Sequence, residues 1–148
     1  MLFRSLSYQK EGMVEWWGHR EDIPAILTGA QVVVLPSYTE GLPKILLEAG
    51  ACARAVVASS NAGCREIVRD GENGFLVPPK DTEALAGAIT VLLQDAELRE
   101  RMGRRGRDIV MNEFSAGRVV RETLLVYDEL LRKTGRASFD VTAVQAVG

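Results

Sequence analysis

The chain is poor in the residues that build covalent or metal-held scaffolds. Its 148 residues include 2 cysteines and a single histidine. Cys52 and Cys64 form no CxxC pairing and sit in apolar or loop settings, which reads as reduced thiols rather than a disulfide framework. No charge of one sign dominates either. Lys and Arg number 18 against 20 Asp and Glu, a net charge of −2 that argues against nucleic acid as a partner. No run approaches the roughly 18 uninterrupted apolar residues of a membrane-spanning helix. The opening MLFRSLSYQKEG lacks a sustained apolar core, so no signal peptide is expected and the chain reads as cytoplasmic.

What is present is an ordinary globular balance, 47% hydrophobic and 26% charged, at a length that suits one domain with a core of its own. Short apolar runs alternate with helical patterns. Residues 13–17 (MVEWW), 32–35 (VVVL), 55–58 (AVVA) and 74–77 (GFLV) read as strands. The last three are near-continuous apolar runs, as in a parallel sheet covered on both faces. Trp16 and Trp17 alternate across the first of them, which places at least one in the core. Helices are expected from Asp22-Ile23-Pro24 to about 29, from Pro43 to about 53, and over 63–69. Three more follow, over 81–93, 95–112 and 116–132, and residues 133–148 read as a tail. The alternation predicts an α/β fold, a Rossmann-like parallel sheet flanked by helices.

Chemistry concentrates at the C-terminal end of the 32–35 strand, the edge where open α/β sheets bind ligands. There SYTEGL leads into a helix that opens at Pro43 and carries Lys44 in its first turn. The free N–H groups of Leu42, Lys44 and Ile45, with the positive end of the helix dipole, make a place for an anion. A cation in a first turn opposes that dipole. Lys44 therefore answers either to a phosphate nearby or simply to solvent. Glu48 has mostly apolar neighbours, so the helix reads as buried all round and its carboxylate needs donors. Ligand hydroxyls would serve, as would backbone amides or Lys44 one turn earlier. Basic residues between Arg99 and Arg107 alternate with Glu97, Glu100 and Asp108. They read as a solvated face or, alternatively, as a patch for anionic lipid.

The string LPSYTEGLPKILLEA, with Glu40 and Glu48 in an E-x7-E spacing, resembles the donor-binding signature of retaining glycosyltransferases of family 4, the group 1 glycosyltransferases. Further islands match in order: VEWWGHREDIP, AQVVVLPS, GCREIV and DGENGFLVPPKDTEALAGAI. The resemblance implies the C-terminal part of a GT-B fold, with residues 1–132 as a partial nucleotide-sugar-binding domain. It implies transfer of a sugar from a nucleotide-diphosphate donor, UDP-linked by preference, to a polysaccharide, lipopolysaccharide or lipid-linked acceptor with retention. By the same resemblance Glu40 would be catalytic, facing the donor sugar. Glu48 would accept both ribose hydroxyls. Gly41, Leu42, Lys44 and Ile45 would approach the diphosphate or sugar, and Trp17, Gly18 and Arg20 would border the base. Arg65 and Glu66 fall where the family often has a Glu beside the pocket, as support for it or as a plain surface pair. No metal or other cofactor is implied.

Two departures matter. Ala53 and Ala55 stand where members commonly have Gly and Pro, and an alanine at a position needing φ > 0 costs about 1 kcal/mol. Nothing here resembles the N-terminal acceptor domain, nor the strand that opens the C-terminal one. Residues 13–17 would then lack a neighbour and strand 32–35 would keep an open apolar edge. The expectation is a chain inactive alone, needing an acceptor domain or another chain, or pairing with a second copy through that edge. The other functional reading is a truncated module that binds nucleotide without catalysis. Peripheral contact with a membrane stays compatible with both.

Overall fold

The structure is a computed structural model that describes residues 7–134; beyond residue 134 the expected tail lies outside the described residues. Elements follow in the order α1 (Ile23–Gly29), β1 (Val32–Leu35), α2 (Lys44–Ala51), β2 (Ala55–Ser59) and α3 (Ala62–Ile67). Then come β3 (Gly74–Val77), α4 (Thr82–Gln94), α5 (Ala96–Glu113) and α6 (Ala116–Lys133). The sheet is parallel with order β1-β2-β3, Val33 lying opposite Val56 and Val57 opposite Phe75.

β2 is the central strand and every one of its residues is buried. Because side chains alternate across a strand, it feeds two cores. Val56 and Ala58 join Val33, Leu46, Ala49, Cys64 and Ile67 beneath α1, α2 and α3. Ala55 and Val57 face the other way, toward Val77, Leu92 and Met102 under α4 and α5. Side-chain caps start three of the helices, whereas Asp22, expected to cap α1, and Ser115 before α6 hold the N-cap position without such a bond. Asn61, Asp81 and Asp95 accept from the backbone N–H of Cys64 (3.0 Å), Ala84 (2.9 Å) and Leu98 (2.8 Å). α2 ends in a Schellman closure: Ala53 N–H donates to Gly50 O at 2.8 Å and Arg54 N–H to Ala49 O at 2.9 Å. Ala53 takes the left-handed conformation that this closure requires, with φ 53°.

The structure corrects three expectations. Residues 13–17 form no strand. An extended segment needs a ladder partner, and no described strand lies alongside it. For the same reason neither tryptophan is core: Trp16 is 77% exposed and Trp17 56%. Third, α2 is not buried all round. Leu46, Ala49 and Gly50 face inward, whereas Lys44 and Glu48, one turn apart, share an exposed face. At the C-terminal end, α6 is amphipathic but stays largely uncovered, with Tyr127 and Leu130 more than half exposed. Its buried residue is Asp128, paired with Arg132 at 2.8 Å.

Candidate functional site

β1 delivers the chain at Leu35 to the C-terminal edge of the sheet, and residues 36–43 turn it into α2. Pro43 occupies the N-cap position without a side-chain cap, and no acid stands in the first turn. No acid in its own first turn therefore offsets the positive end of α2, and Lys44 adds a further cation. Glu40 is half-buried in the loop and Glu48 is exposed in the second turn of the helix. Among the described residues no side-chain hydrogen bond or ion pair engages either carboxylate. The pairing with Lys44 that the sequence allowed to Glu48 is not formed. Glu40 and the exposed Leu42 thus lie in the loop that leaves β1, and Lys44 and Glu48 in the first two turns of the helix that follows it.

The rest of the edge comes from the two following crossovers. Asn61 donates through Nδ2 to Ser37 O at 3.1 Å while its Oδ1 caps α3. Arg65 donates to Ser60 O at 2.9 Å, which is local support, and Glu66 is exposed. After β3, residues 78–81 form a turn closed by Asp81 N–H to Pro78 O at 3.2 Å. Lys80 sits in it at φ 69°, its ammonium 5.5 Å from the centroid of the Tyr38 ring. Burial pushes the Cys64 thiol up. The Asn61 side chain works the other way, and the charge of Glu40 adds to the rise, so the loop acid is felt inside α3.

Trp17, Gly18 and Arg20, expected to border the base, are all exposed, and the bonds of the two side chains are local. Trp17 Nε1 donates to Glu15 at 2.8 Å, and Arg20 Nε donates to Asp22 at 2.7 Å. That guanidinium holds the Asp22 carboxyl below its usual range. The structure does not tie these three residues to Glu40 or Glu48. Three of the five arginines of α5 bond to other parts of the protein: Arg99 to Leu92 O (2.6 Å), Arg105 to Glu72 (3.1 Å) and Arg107 to Ala51 O (2.8 Å). Among the described residues no helix is long and apolar enough to cross a membrane. No group of three or more His, Cys, Asp or Glu is placed there to hold a metal ion.

Comparison with known proteins decides the family. The family "Glycosyl transferases group 1" matches residues 2–109. The chain belongs to the group 1 glycosyl transferases. A curated relative of this family, N,N'-diacetylbacillosaminyl-diphospho-undecaprenol alpha-1,3-N-acetylgalactosaminyltransferase of Campylobacter jejuni, is 31% identical over 86% of this chain and 34% of its own length. Among solved structures, sucrose-phosphate synthase from Thermosynechococcus elongatus superposes with a TM-score of 0.81 at 30% identity. That match covers 88% of this chain and 34% of the other. HepE of Anabaena in complex with UDP gives a TM-score of 0.75 at 26% identity, over 83% of this chain and 36% of the other. The group 1 chain thus spans about a third of the length of the curated relatives it matches. Its parallel sheet with flanking helices is the Rossmann-like C-terminal domain of the GT-B fold.

The sequence missed Asn61 and Lys80 as parts of the edge. Asn61 could have been suspected from its place just after β2. Lys80 follows two prolines in a turn where glycine is the usual occupant, which was the available signal.

Proposed function

We propose that the chain is the donor-binding part of a retaining glycosyltransferase that takes a nucleotide-diphosphate sugar, UDP-linked by preference. The observation that carries the reading is Glu48, a carboxylate without a protein partner, one turn from Lys44 at an uncapped helix N-terminus. Vicinal ribose hydroxyls would supply two donors to such an exposed carboxylate. The diphosphate lies against the amides of Gly41, Leu42 and Ile45 and the Lys44 ammonium. The Anabaena neighbour, whose structure contains UDP, supports the choice of base.

In the reaction the bond from the anomeric carbon to the diphosphate oxygen breaks, and the acceptor hydroxyl oxygen forms its bond on the same face. The acceptor proton passes to the leaving phosphate oxygen. Glu40 holds the sugar hydroxyls and offsets the positive charge that develops at the anomeric carbon. The helix end and Lys44 meet the charge of the leaving diphosphate, so the reading calls for no metal. Trp17, Gly18 and Arg20 border the base when the site is complete. The acceptor is a polysaccharide, lipopolysaccharide or lipid-linked saccharide. The Campylobacter relative, whose name carries a diphospho-undecaprenol, supports the last of these.

A second reading, a nucleotide-binding module that needs a partner for transfer, is favoured by the edge position of β1 in the sheet of the described residues. The partner supplies the acceptor side, as another domain or another chain, and the open edge of β1 is available for pairing. Calorimetric titration with UDP and GDP tests the shared claim. The chain binds one of them, and Glu48→Ala weakens binding by about 1–3 kcal/mol through stranded ribose hydroxyls. Equal affinity of parent and variant would overturn the assignment. A transfer assay on the chain alone should show no turnover under either reading, and turnover without an added partner would overturn the need for a separate acceptor side.

A further inference from the structure

The loop that carries Glu40 does not hold its own shape. Among the described residues no hydrogen bond joins one part of segment 36–42 to another. Two groups on the next crossover fix it instead. Asn61 Nδ2 donates to Ser37 O at 3.1 Å, three residues before Glu40. The same side chain accepts from Cys64 N–H at 3.0 Å, so α3 and the loop are tied through one amide. At the other end, Gly63 is buried with its bare Cα against the loop backbone. An ideal Cβ placed there would lie 2.5 Å from Glu40 O and would overlap Gly41 O, closer than any real Cβ contact. Both opposing atoms are backbone, so no side chain can swing aside.

We infer that Asn61 and Gly63 are positioning residues that set the place of the Glu40–Gly41 backbone, and through it the seat of the donor. The inference rests on the donor-site reading for its functional half only. Neither residue reaches the open edge with a group for the ligand: the Asn61 amide is used on both sides, and Gly63 offers only a surface for close approach. Their geometry acts on Glu40 through the main chain. The pair also explains why the loop can follow a short strand directly and still be ordered. The α3 turn supplies the contacts that the loop lacks within itself.

Three variants of the full chain test this: Gly63→Ala, Asn61→Asp and Gly103→Ala. Asn61→Asp keeps an oxygen to cap Cys64 N–H but loses the donor to Ser37 O, so α3 is retained while the tie is cut. Gly103→Ala introduces an equally close backbone clash, with Ala53 O, away from the loop, and serves as the control. Deuterium exchange of residues 36–43 and calorimetric affinity for UDP and GDP are read together. Gly63→Ala and Asn61→Asp should speed exchange in that segment and weaken binding of whichever nucleotide the parent takes by tenfold or more. Gly103→Ala should lower stability yet leave both readouts at parental values. Unchanged exchange in Asn61→Asp, or an equal loss of binding in Gly103→Ala, overturns the inference. If Gly63→Ala does not fold, Asn61→Asp carries the test. A parent that binds neither nucleotide sinks the donor-site reading, while the exchange data still decide the positioning claim.

Discussion

The carbonyl of Ala53 lies directly against the Cα of Gly103, locking the end of α2 onto α5. Ala53 reaches this contact in a left-handed conformation, φ 53°, that favours glycine. Ala53→Gly should therefore stabilise the fold by about 0.5 kcal/mol, the relief of left-handed strain less the added chain entropy. Urea denaturation checks it as a higher midpoint at unchanged slope.

Asn73 is buried and bonded at both ends of its amide. It accepts from Arg69 N–H at 2.7 Å and donates to Ile67 O at 3.1 Å, stitching the end of α3 to the turn before β3. Asn73→Ala strands a buried donor and acceptor together and should cost about 2 kcal/mol or more. Thermal unfolding measures the loss.

The fully buried Cys64 thiol is held above its ordinary value of 9.0, chiefly by burial. The folded state thus keeps its proton more tightly than the unfolded chain. The resulting stability is fully present below that ordinary value and is lost as pH rises through the folded one. Cys64→Ala should show a shallower alkaline loss than the parent in denaturation series run from neutral to alkaline pH. In the native protein iodoacetamide should modify Cys52, which is partly exposed, well before Cys64. Mass spectrometry of the alkylated chain gives the order.

Leu46 is 1% exposed and Leu130 is 53% exposed, though both lie on amphipathic helices. Leu46→Ala should cost about 3 kcal/mol, whereas Leu130→Ser should change stability by less than about 0.5 kcal/mol. A large loss at Leu130 in the isolated chain, read by denaturation, would show that α6 is covered in solution.

Continuous apolar runs made β1 and β3 readable to the residue, because a strand covered on both faces leaves little else for such a run to do. The segment MVEWW failed for the opposite reason: local preference for extension does not make a strand without a ladder beside it. The burial of α2 was overread from composition, although helical spacing already put Lys44 and Glu48 on one face. The E-x7-E pair and its place at the sheet edge were legible because strand, loop and helix are contiguous. The hold of Asn61 and Gly63 on the Glu40 loop was not, since it joins segments more than twenty residues apart and depends on how closely two backbones meet.

Neighbouring positions on β2 answer to different halves of the molecule. A side chain changed at Val56 or Ala58 presses on the layer beneath Glu40 and Glu48, while one changed at Val57 presses on the layer behind it. Odd and even sites along a single five-residue segment are therefore separate dials, one for the working face and one for its backing, and an engineer could turn either with the other left at rest.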